Sequence, residues 1–305
     1  MDRRIFLKSC LAAGLGIGLG GFPLPLLRRK STAFAGEGGE TPDIVAVRNG
    51  EPDAMFDRGI AAMGGMGRFV RKGQRVVIKP NVSWDAPEDM AANTNPTLLN
   101  RVVRHCLEAG AREVVVFDNC IEQWQRCYEV SGIKAAAEQA GAVIAPAQTE
   151  RYYVRREVGG KNLPATAVHE AVLEADVLIS LPILKHHSGA GMTAGIKNMM
   201  GAVWDRRFYH GHGLSQCIAD FLLLRKPDLT IIDAYRVLGG NGPRSRSARD
   251  VKLTKMQIIS TDIVAADASG ARVLGREPDE HVRIAHAMGF GEIDPGKLKS
   301  RRISL

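Results

Sequence analysis

The stretch Arg75-Val-Val-Ile-Lys-Pro-Asn81 is a short apolar run that ends abruptly in polar residues. Three later stretches have the same form: EVVVFD at 113–118, DVLISL at 176–181 and LTIIDA at 229–234. Short apolar runs without polar alternation are typical of strands that are buried on both faces of a sheet. The four stretches therefore predict the central strands of a covered sheet.

Segments with helical spacing separate these strands. Asn95-Pro96 has the form of a helix cap followed by proline in the first turn, and Gly110 has the form of a helix stop. Strands that alternate with helices predict an α/β fold with a mainly parallel sheet and helices on both faces. A small antiparallel hairpin is predicted between residues 152 and 168. We assign residues 43–291 to a single domain of this kind.

Polar side chains follow each of the four buried strands. Lys79 and Asn81 follow the first, Asp118 ends the second, Lys185 comes shortly after the third and Asp233 lies near the end of the fourth. In open α/β sheets, ligands bind outside the carboxyl ends of the strands. The alternative is that strand ends are simply where solvent begins. The convergence of four such ends favours a binding site at one rim of the sheet.

The segment from Gly189 to Asn198 contains a glycine-rich turn followed by a predicted helix start. Backbone N–H groups and the helix dipole favour an anion there, and Lys197 adds a positive charge. Lys197 and Asn198, with Lys79 and Asn81 on the rim, are thus predicted to bind a small anion. A dinucleotide fingerprint fits only loosely, because no acidic residue ends a following strand at the required distance. A plain tight turn is the remaining alternative.

Two histidine pairs, His186-His187 and His210-x-His212, lie in glycine-containing segments interpreted as loops. A neutral imidazole acts as a general base or binds a transition metal. We predict His186, His210 and Lys185 as the catalytic candidates. His187 and His212 are interpreted as surface or supporting residues.

A divalent transition metal is a candidate cofactor, with Asp118, His186 and Asp233 as its ligands. The cysteines beyond residue 35 show no paired spacing, so no iron–sulfur cluster is expected. A disulfide between Cys120 and Cys127 is conceivable in an oxidising compartment. The sequence leaves that pairing open.

The net charge of +8 arises largely from the first 35 residues. They contain six basic residues and one acidic residue, so the remainder has 35 basic against 32 acidic residues and a net charge of +3. This balance gives no indication of a nucleic-acid partner. The basic residues of segment 292–305 are interpreted as a solvated tail.

Residues 1–35 have the order of an export signal. Arg3-Arg4 is followed by an apolar, glycine-rich stretch, a second basic cluster at residues 28–30 and Ala33-Phe34-Ala35. This order predicts a twin-arginine signal peptide, a flexible leader at 36–42, contact with the twin-arginine translocation machinery and a periplasmic or other extracytoplasmic location. No stable membrane span is expected after cleavage. An uncleaved membrane anchor is the alternative.

A set of motifs in fixed order resembles domain-of-unknown-function family 362. They are Lys79-Pro80-Asn81, Leu184-Lys185-His186-His187, Gly195-Ile196-Lys197-Asn198-Met199-Met200-Gly201, His210, Ile231-Ile232-Asp233, Gly240-x-Gly242-Pro243 and Asp262-x-Val264-Ala265-x-Asp267-Ala268 with Gly275. The resemblance marks as site residues Lys79, Asn81, Lys185, His186, Lys197, Asn198, His210, Asp233 and Asp267. Many members carry a ferredoxin-like segment with clustered cysteines, which this chain lacks. An iron–sulfur role therefore does not carry over.

These observations together favour an exported enzyme that acts on a small anionic substrate. The lysines would bind negative charge, while a histidine would serve as acid, base or metal ligand. A non-catalytic binding or maturation factor for an exported redox enzyme is the first alternative. A metal carrier or sensor is the second.

Overall fold

The computed structural model describes residues 40–305. The described residues do not include the predicted signal peptide at 1–35, for which an anchor is the alternative. They also leave out most of the predicted leader. Within 40–305, no helix is both long enough and apolar enough to cross a membrane.

The described chain alternates strands and helices in the predicted manner. The strands are β1 (Ile44–Arg48), β2 (Arg75–Pro80), β3 (Glu113–Val116), β4 (Val143–Ile144), β5 (Tyr153–Glu157), β6 (Ala165–His169), β7 (Val177–Leu181), β8 (Ile183–His187), β9 (Gly191–Thr193), β10 (Leu229–Leu238), β11 (Val251–Ser260) and β12 (Ser300–Ser304). The α-helices are α1 (Pro52–Ala62), α2 (Pro96–Glu108), α3 (Trp124–Val130), α4 (Ile133–Ala140), α5 (Glu170–Leu173), α6 (Gly195–Asn198), α7 (Arg206–Gly211), α8 (Leu214–Leu224), α9 (Ile263–Val273) and α10 (Glu280–Ala287).

Ten of the described strands form one sheet, in the order β12-β1-β11-β10-β7-β2-β3-β4, with β8 and β9 branching from β10. The run from β10 through β7, β2 and β3 to β4 is parallel, whereas β11 is antiparallel to both of its neighbours. Strands β5 and β6 form a separate antiparallel hairpin. The α/β fold class, the mainly parallel sheet and the hairpin are thus confirmed.

The two faces of the sheet bury alternate residues of each strand. On β2, Val76 and Ile78 pack into one core with helices α1 to α4, while Val77 packs into the other core with α5 to α10. This alternation follows from the two-residue period of a strand. Strands with apolar residues on both sides therefore require helices on both faces, which gives three layers.

Segment 292–305 differs from the predicted solvated tail. Residues 300–304 form β12, which pairs in parallel with β1 at the edge of the sheet. Arg301 and Arg302 nevertheless remain exposed. An edge strand gains backbone hydrogen bonds while its charged side chains stay in water, so basic composition does not prevent pairing.

Three local features position the site. Asn95 caps α2 as predicted, its side chain accepting from the N–H of Leu98 at 3.0 Å. Residues 185–187 belong to β8 instead of a loop, and α7 forms where a loop was predicted before residue 211. The last two differences decide which histidines face the site.

Candidate functional site

A cleft of about 350 Å³ opens beyond the carboxyl end of β2, between β8, α6 and α7. It is strongly basic, because lysine, arginine and histidine side chains converge on it. Its lining consists of Lys79, Asn81, Ser83, Trp84, Ile121, Lys185, His187, Thr193, Lys197, Asn198, Met200, Gly201, Arg206, Arg207, His210 and Pro243.

The structure brings six of the predicted site residues into this one cleft, from four separate parts of the chain. They are Lys79, Asn81, Lys185, Lys197, Asn198 and His210. Asp118 does not line the cleft but pairs with Lys79, whose Nζ lies 2.8 Å from Oδ1 of Asp118. Because β2 and β3 are parallel neighbours, their carboxyl ends place these two side chains together.

The predicted catalytic residue His186 does not line the cleft. Lys185 and His187 do, because residues two apart on β8 face the same side of the strand. His186 points the other way, and its Nδ1 accepts a hydrogen bond from the N–H of Gly242 at 3.1 Å. His187, interpreted from the sequence as a surface or supporting residue, takes its place.

Asp233 is also absent from the cleft. Strand β10 continues to Leu238, so Asp233 lies inside the strand and not at its end. Its carboxylate accepts from the N–H of Asn95 at 2.8 Å and from the N–H of Tyr235 at 3.0 Å. Burial raises the pKa of Asp233 to about 6. Asp233 therefore holds the backbone of Asn95, the residue that caps α2.

The predicted anion position at the start of α6 is filled by the chain itself. Asp267 accepts from the N–H groups of Gly195 and Ile196, at 2.6 and 2.9 Å. A helix start favours negative charge, and a buried carboxylate supplies it here. An anionic ligand therefore has to bind through side chains in the cleft and not at this helix terminus.

The buried Lys79 has all of its protons engaged. Its Nζ donates to Pro80 O at 2.7 Å and to Asn198 Oδ1 at 2.8 Å, and it pairs with Asp118. An ammonium group has three donors. Burial lowers the pKa of Lys79, which the Asp118 carboxylate opposes. Lys79 therefore organises the base of the cleft and has no proton left for a ligand.

Lys185 uses part of its hydrogen-bonding capacity within the protein. It donates to Asn81 Oδ1 at 2.7 Å and to the carbonyl of Ala92, which leaves one donor. Its side chain is buried, and burial holds its pKa well below the usual value. No carboxylate lies within ion-pair distance of it among residues 40–305.

Lys197 has the fewest hydrogen-bond partners of the cleft lysines. In the part of the chain that the structure describes, its Nζ has one hydrogen-bond partner, the thioether of Met200 at 3.2 Å, and no carboxylate pairs with it. A thioether is a weak acceptor. Loss of solvation, together with the nearby charges of Arg206 and Lys79, lowers the pKa of Lys197 to about 7.

Arg206 was missed by the sequence analysis. Its guanidinium donates to the carbonyl of Asn119 at 2.7 Å and to that of Cys120 at 2.9 Å, which fixes it beside the cleft. The sequence feature that could have identified Arg206 is Asp205-Arg206-Arg207 followed by His210. A helix capped by Asp205 places Arg206 and His210 on one face, one turn apart.

The two cleft histidines differ in their hydrogen bonding. His187 Nδ1 accepts from the N–H groups of Gly189 and Ala190, both at 3.1 Å, so a neutral ring carries its proton on Nε2. Burial lowers the pKa of His187 to about 3. His210 is exposed and has no hydrogen-bond partner among the described residues, and partial burial with Lys197 and Arg206 nearby lowers its pKa.

The predicted metal ligands Asp118, His186 and Asp233 do not form a set. Asp118 accepts a hydrogen bond from the N–H of Val82, whereas Asp233 accepts one from the N–H of Asn95. His186 faces away from the cleft. Within residues 40–305, no group of three or more histidine, cysteine or acidic residues is placed to hold a metal ion.

Residues 76–272, which contain the whole set of cleft lysines, match the family described as Domain of unknown function (DUF362). The chain belongs to the DUF362 family. A thylakoid-associated protein of Synechocystis sp. is similar to this DUF362 chain, with 26% identity over 224 residues that cover 71% of this chain and 68% of the relative.

Two solved structures resemble this DUF362 fold at low sequence identity. One is the lactate racemase apoprotein from Thermoanaerobacterium thermosaccharolyticum, with 12% identity, a TM-score of 0.49 and coverage of 75% of this chain. The other is a protein from Thermotoga maritima, with 11% identity, a TM-score of 0.45 and coverage of 78%. The chain spans 56% and 60% of the lengths of these two proteins.

Proposed function

We propose that this protein is an enzyme that binds a small anionic substrate in the basic cleft. The observation that carries the proposal is the position of Lys197 and Lys185, which lie in the same cleft with no carboxylate partner among the described residues. Uncompensated cationic groups in a desolvated site are costly. An anion that enters the cleft removes that cost, which supplies binding free energy.

The cleft also holds groups suited to proton transfer. His210 has unengaged ring nitrogens and a lowered pKa, so it is neutral at pH 7 and acts as a general base. His187 presents Nε2–H as a donor, because two backbone N–H groups hold its Nδ1. The guanidinium of Arg206, which stays charged, orients the anion.

Thermal unfolding in the presence of phosphate, sulfate, acetate and pyruvate tests the binding part of the proposal. At least one of these anions is expected to raise Tm of the wild type in a concentration-dependent manner. Lys197→Met is expected to abolish the shift, whereas Lys161→Met, which removes an exposed lysine outside the cleft, is expected to retain it. Equal shifts in all three proteins would place the anion elsewhere and contradict the proposal.

Proton NMR of the same mixtures tests the catalytic part. An enzyme converts or exchanges protons of a bound carbon acid at a rate that falls in His210→Gln. Stoichiometric binding without any change in the anion would instead favour the non-catalytic binding or maturation factor.

We also propose export by the twin-arginine route, on the basis of Arg3-Arg4 and the residues up to Ala35. Fusion of residues 1–42 to a reporter that is active only after folded export tests this. Replacement of both arginines by lysine is expected to block export, and continued export of that variant would refute the assignment.

A further inference from the structure

We propose that Lys197 is a nucleophile that forms an imine with the carbonyl carbon of a small 2-oxo carboxylate bound in the cleft. This inference rests on the proposed function, because it requires that the cleft binds a small anion. It adds the chemical class of the ligand and a covalent step.

Donor occupancy singles out Lys197 among the cleft lysines. Lys79 donates to two acceptors and forms an ion pair with Asp118, and Lys185 donates to two acceptors. Among the described residues, Lys197 has only the Met200 thioether as a hydrogen-bond partner. Its amine is therefore free to lose a proton and to turn its lone pair toward a ligand.

The surroundings of Lys197 favour the neutral amine. Burial removes solvent from its ammonium group, Arg206 and Lys79 repel its positive charge, and the nearby carboxylate of Asp118 is already paired with Lys79. Lys185, His187, His210 and the buried His281 also lie near enough to interact with it. The pKa of about 7 that results makes a large fraction of the amine neutral at physiological pH.

The remaining cleft groups suit a carboxylate beside the carbonyl. Arg206 brings positive charge to the same cleft, and a neutral aldehyde or ketone would leave that charge uncompensated. A phosphate or sulfate would satisfy the charge but has no electrophilic carbon for an amine. The 2-oxo carboxylate combines both features in a molecule small enough for about 350 Å³.

The covalent step balances without any redox change. The Lys197 lone pair forms a C–N bond to the carbonyl carbon, and the carbonyl π electrons move to oxygen, which takes up a proton from solvent while His187 Nε2–H donates a hydrogen bond to it. His210 removes a proton from the nitrogen. His210 returns that proton to the hydroxyl group, which leaves as water, and the remaining N–H proton passes to solvent in place of the one taken up, which gives the imine.

Reductive trapping tests the inference. The full-length protein is incubated with pyruvate and sodium cyanoborohydride at pH 7, digested and examined by peptide mass spectrometry. The adduct is expected at Lys197, formed on the order of 10³ times faster than at an ordinary exposed lysine, because far more of the Lys197 amine is neutral at pH 7; Lys161 provides the exposed comparison. Lys197→Arg, which keeps the charge but is not a nucleophile at this pH, is expected to lack the adduct.

A parallel measurement separates the two proposals. Acetate, which lacks the carbonyl, is tested as a competitor of pyruvate trapping and as a ligand in thermal unfolding, with circular dichroism as a control for folding. Binding of acetate and pyruvate without trapping at Lys197 would overturn the imine and leave the anion site standing. Absence of both binding and trapping would overturn both, and equal trapping at Lys161 and Lys197 would overturn the imine.

Discussion

The carboxylate of Asp267 accepts a hydrogen bond from the backbone N–H of Gly195, with 2.6 Å between Oδ1 and the nitrogen. The second oxygen accepts from Ile196 at 2.9 Å. These bonds connect α9 to the start of α6, the short helix that carries Lys197 and Asn198 into the cleft. Asp267 is therefore a positioning residue for the site, although it does not line the cleft.

Asp267→Asn is expected to weaken anion binding and to destabilise the fold by about 1–3 kcal/mol, since an amide NH₂ would face a backbone donor. Asp262→Asn is the matched control, because Asp262 caps α9 through the N–H of Ala265 at 2.9 Å without contact to α6. Urea unfolding and the anion-induced Tm shift measure the two effects. Loss of anion binding in both variants to the same degree would contradict the specific role of Asp267.

Gly201→Ala is expected to disrupt the Lys79–Asp118 pair. A Cβ at Gly201 would lie 2.1 Å from Asp118 Oδ1 and 2.6 Å from Lys79 Nζ. Forcing apart a buried ion pair costs about 2–4 kcal/mol. Gly211→Ala, where a Cβ meets nothing within 4 Å, should change the free energy of unfolding by less than about 0.5 kcal/mol. Equal stability of the two variants would show that the pair does not need this close approach.

Lys197→Met is expected to stabilise the ligand-free protein at neutral and acidic pH. The folded pKa of about 7 lies below the ordinary value of 10.5, so the unfolded chain binds more protons and wild-type stability rises as pH increases from 7 to 10.5. The gain in the variant is expected to be about 1–3 kcal/mol, reduced from the full effect because water reaches the cleft. Urea unfolding at pH 6 and pH 10 should show the difference shrinking at the higher pH; a constant difference would argue against a lowered pKa.

His281 is expected to limit stability in acid. Both of its ring nitrogens are buried without a hydrogen-bond partner among the described residues, and burial lowers the pKa of His281 to about 3. The unfolded histidine, with a pKa near 6.5, takes up a proton first, so stability falls as pH falls from 6.5 toward 3, by up to about 1.4 kcal/mol per pH unit. His281→Leu should flatten this dependence in urea unfolding between pH 7 and 5. An unchanged slope would indicate that other groups cause the acid sensitivity.

If the protein is exported as proposed, Cys120 and Cys127 are predicted to form a disulfide. Both are free thiols in the structure, and their side chains are within hydrogen-bonding reach of each other. Closing so short a loop stabilises the folded state by about 2.5 kcal/mol in the chain-entropy description. Alkylation of unfolded, unreduced protein followed by mass spectrometry should label Cys106 and Cys217 only. Labelling at all four positions would refute the prediction.

The sequence alone identified the elements whose causes are local. The apolar runs at β2, β3, β7 and β10 required burial on both faces, and the cap at Asn95 needed only its neighbours. It also indicated which charged and amide side chains lie near the carboxyl ends of the strands, because these residues directly follow buried apolar runs. Three of these strand-end residues, Lys79, Asn81 and Lys185, line one cleft with Lys197, Asn198 and His210.

Only the tertiary structure decided which of those groups is free to act. A lysine can donate to a ligand only if its N–H groups do not already have partners in the protein. Those partners come from distant segments, such as Asp118 for Lys79 and Asn81 for Lys185. His187, and not His186, faces the cleft because residues 185–187 form a strand. Pairing with β10 and β9 determines that they do so. Hydrogen-bond pairing between remote segments leaves no periodicity in the sequence, so the single uncommitted lysine of the cleft had to be found in three dimensions.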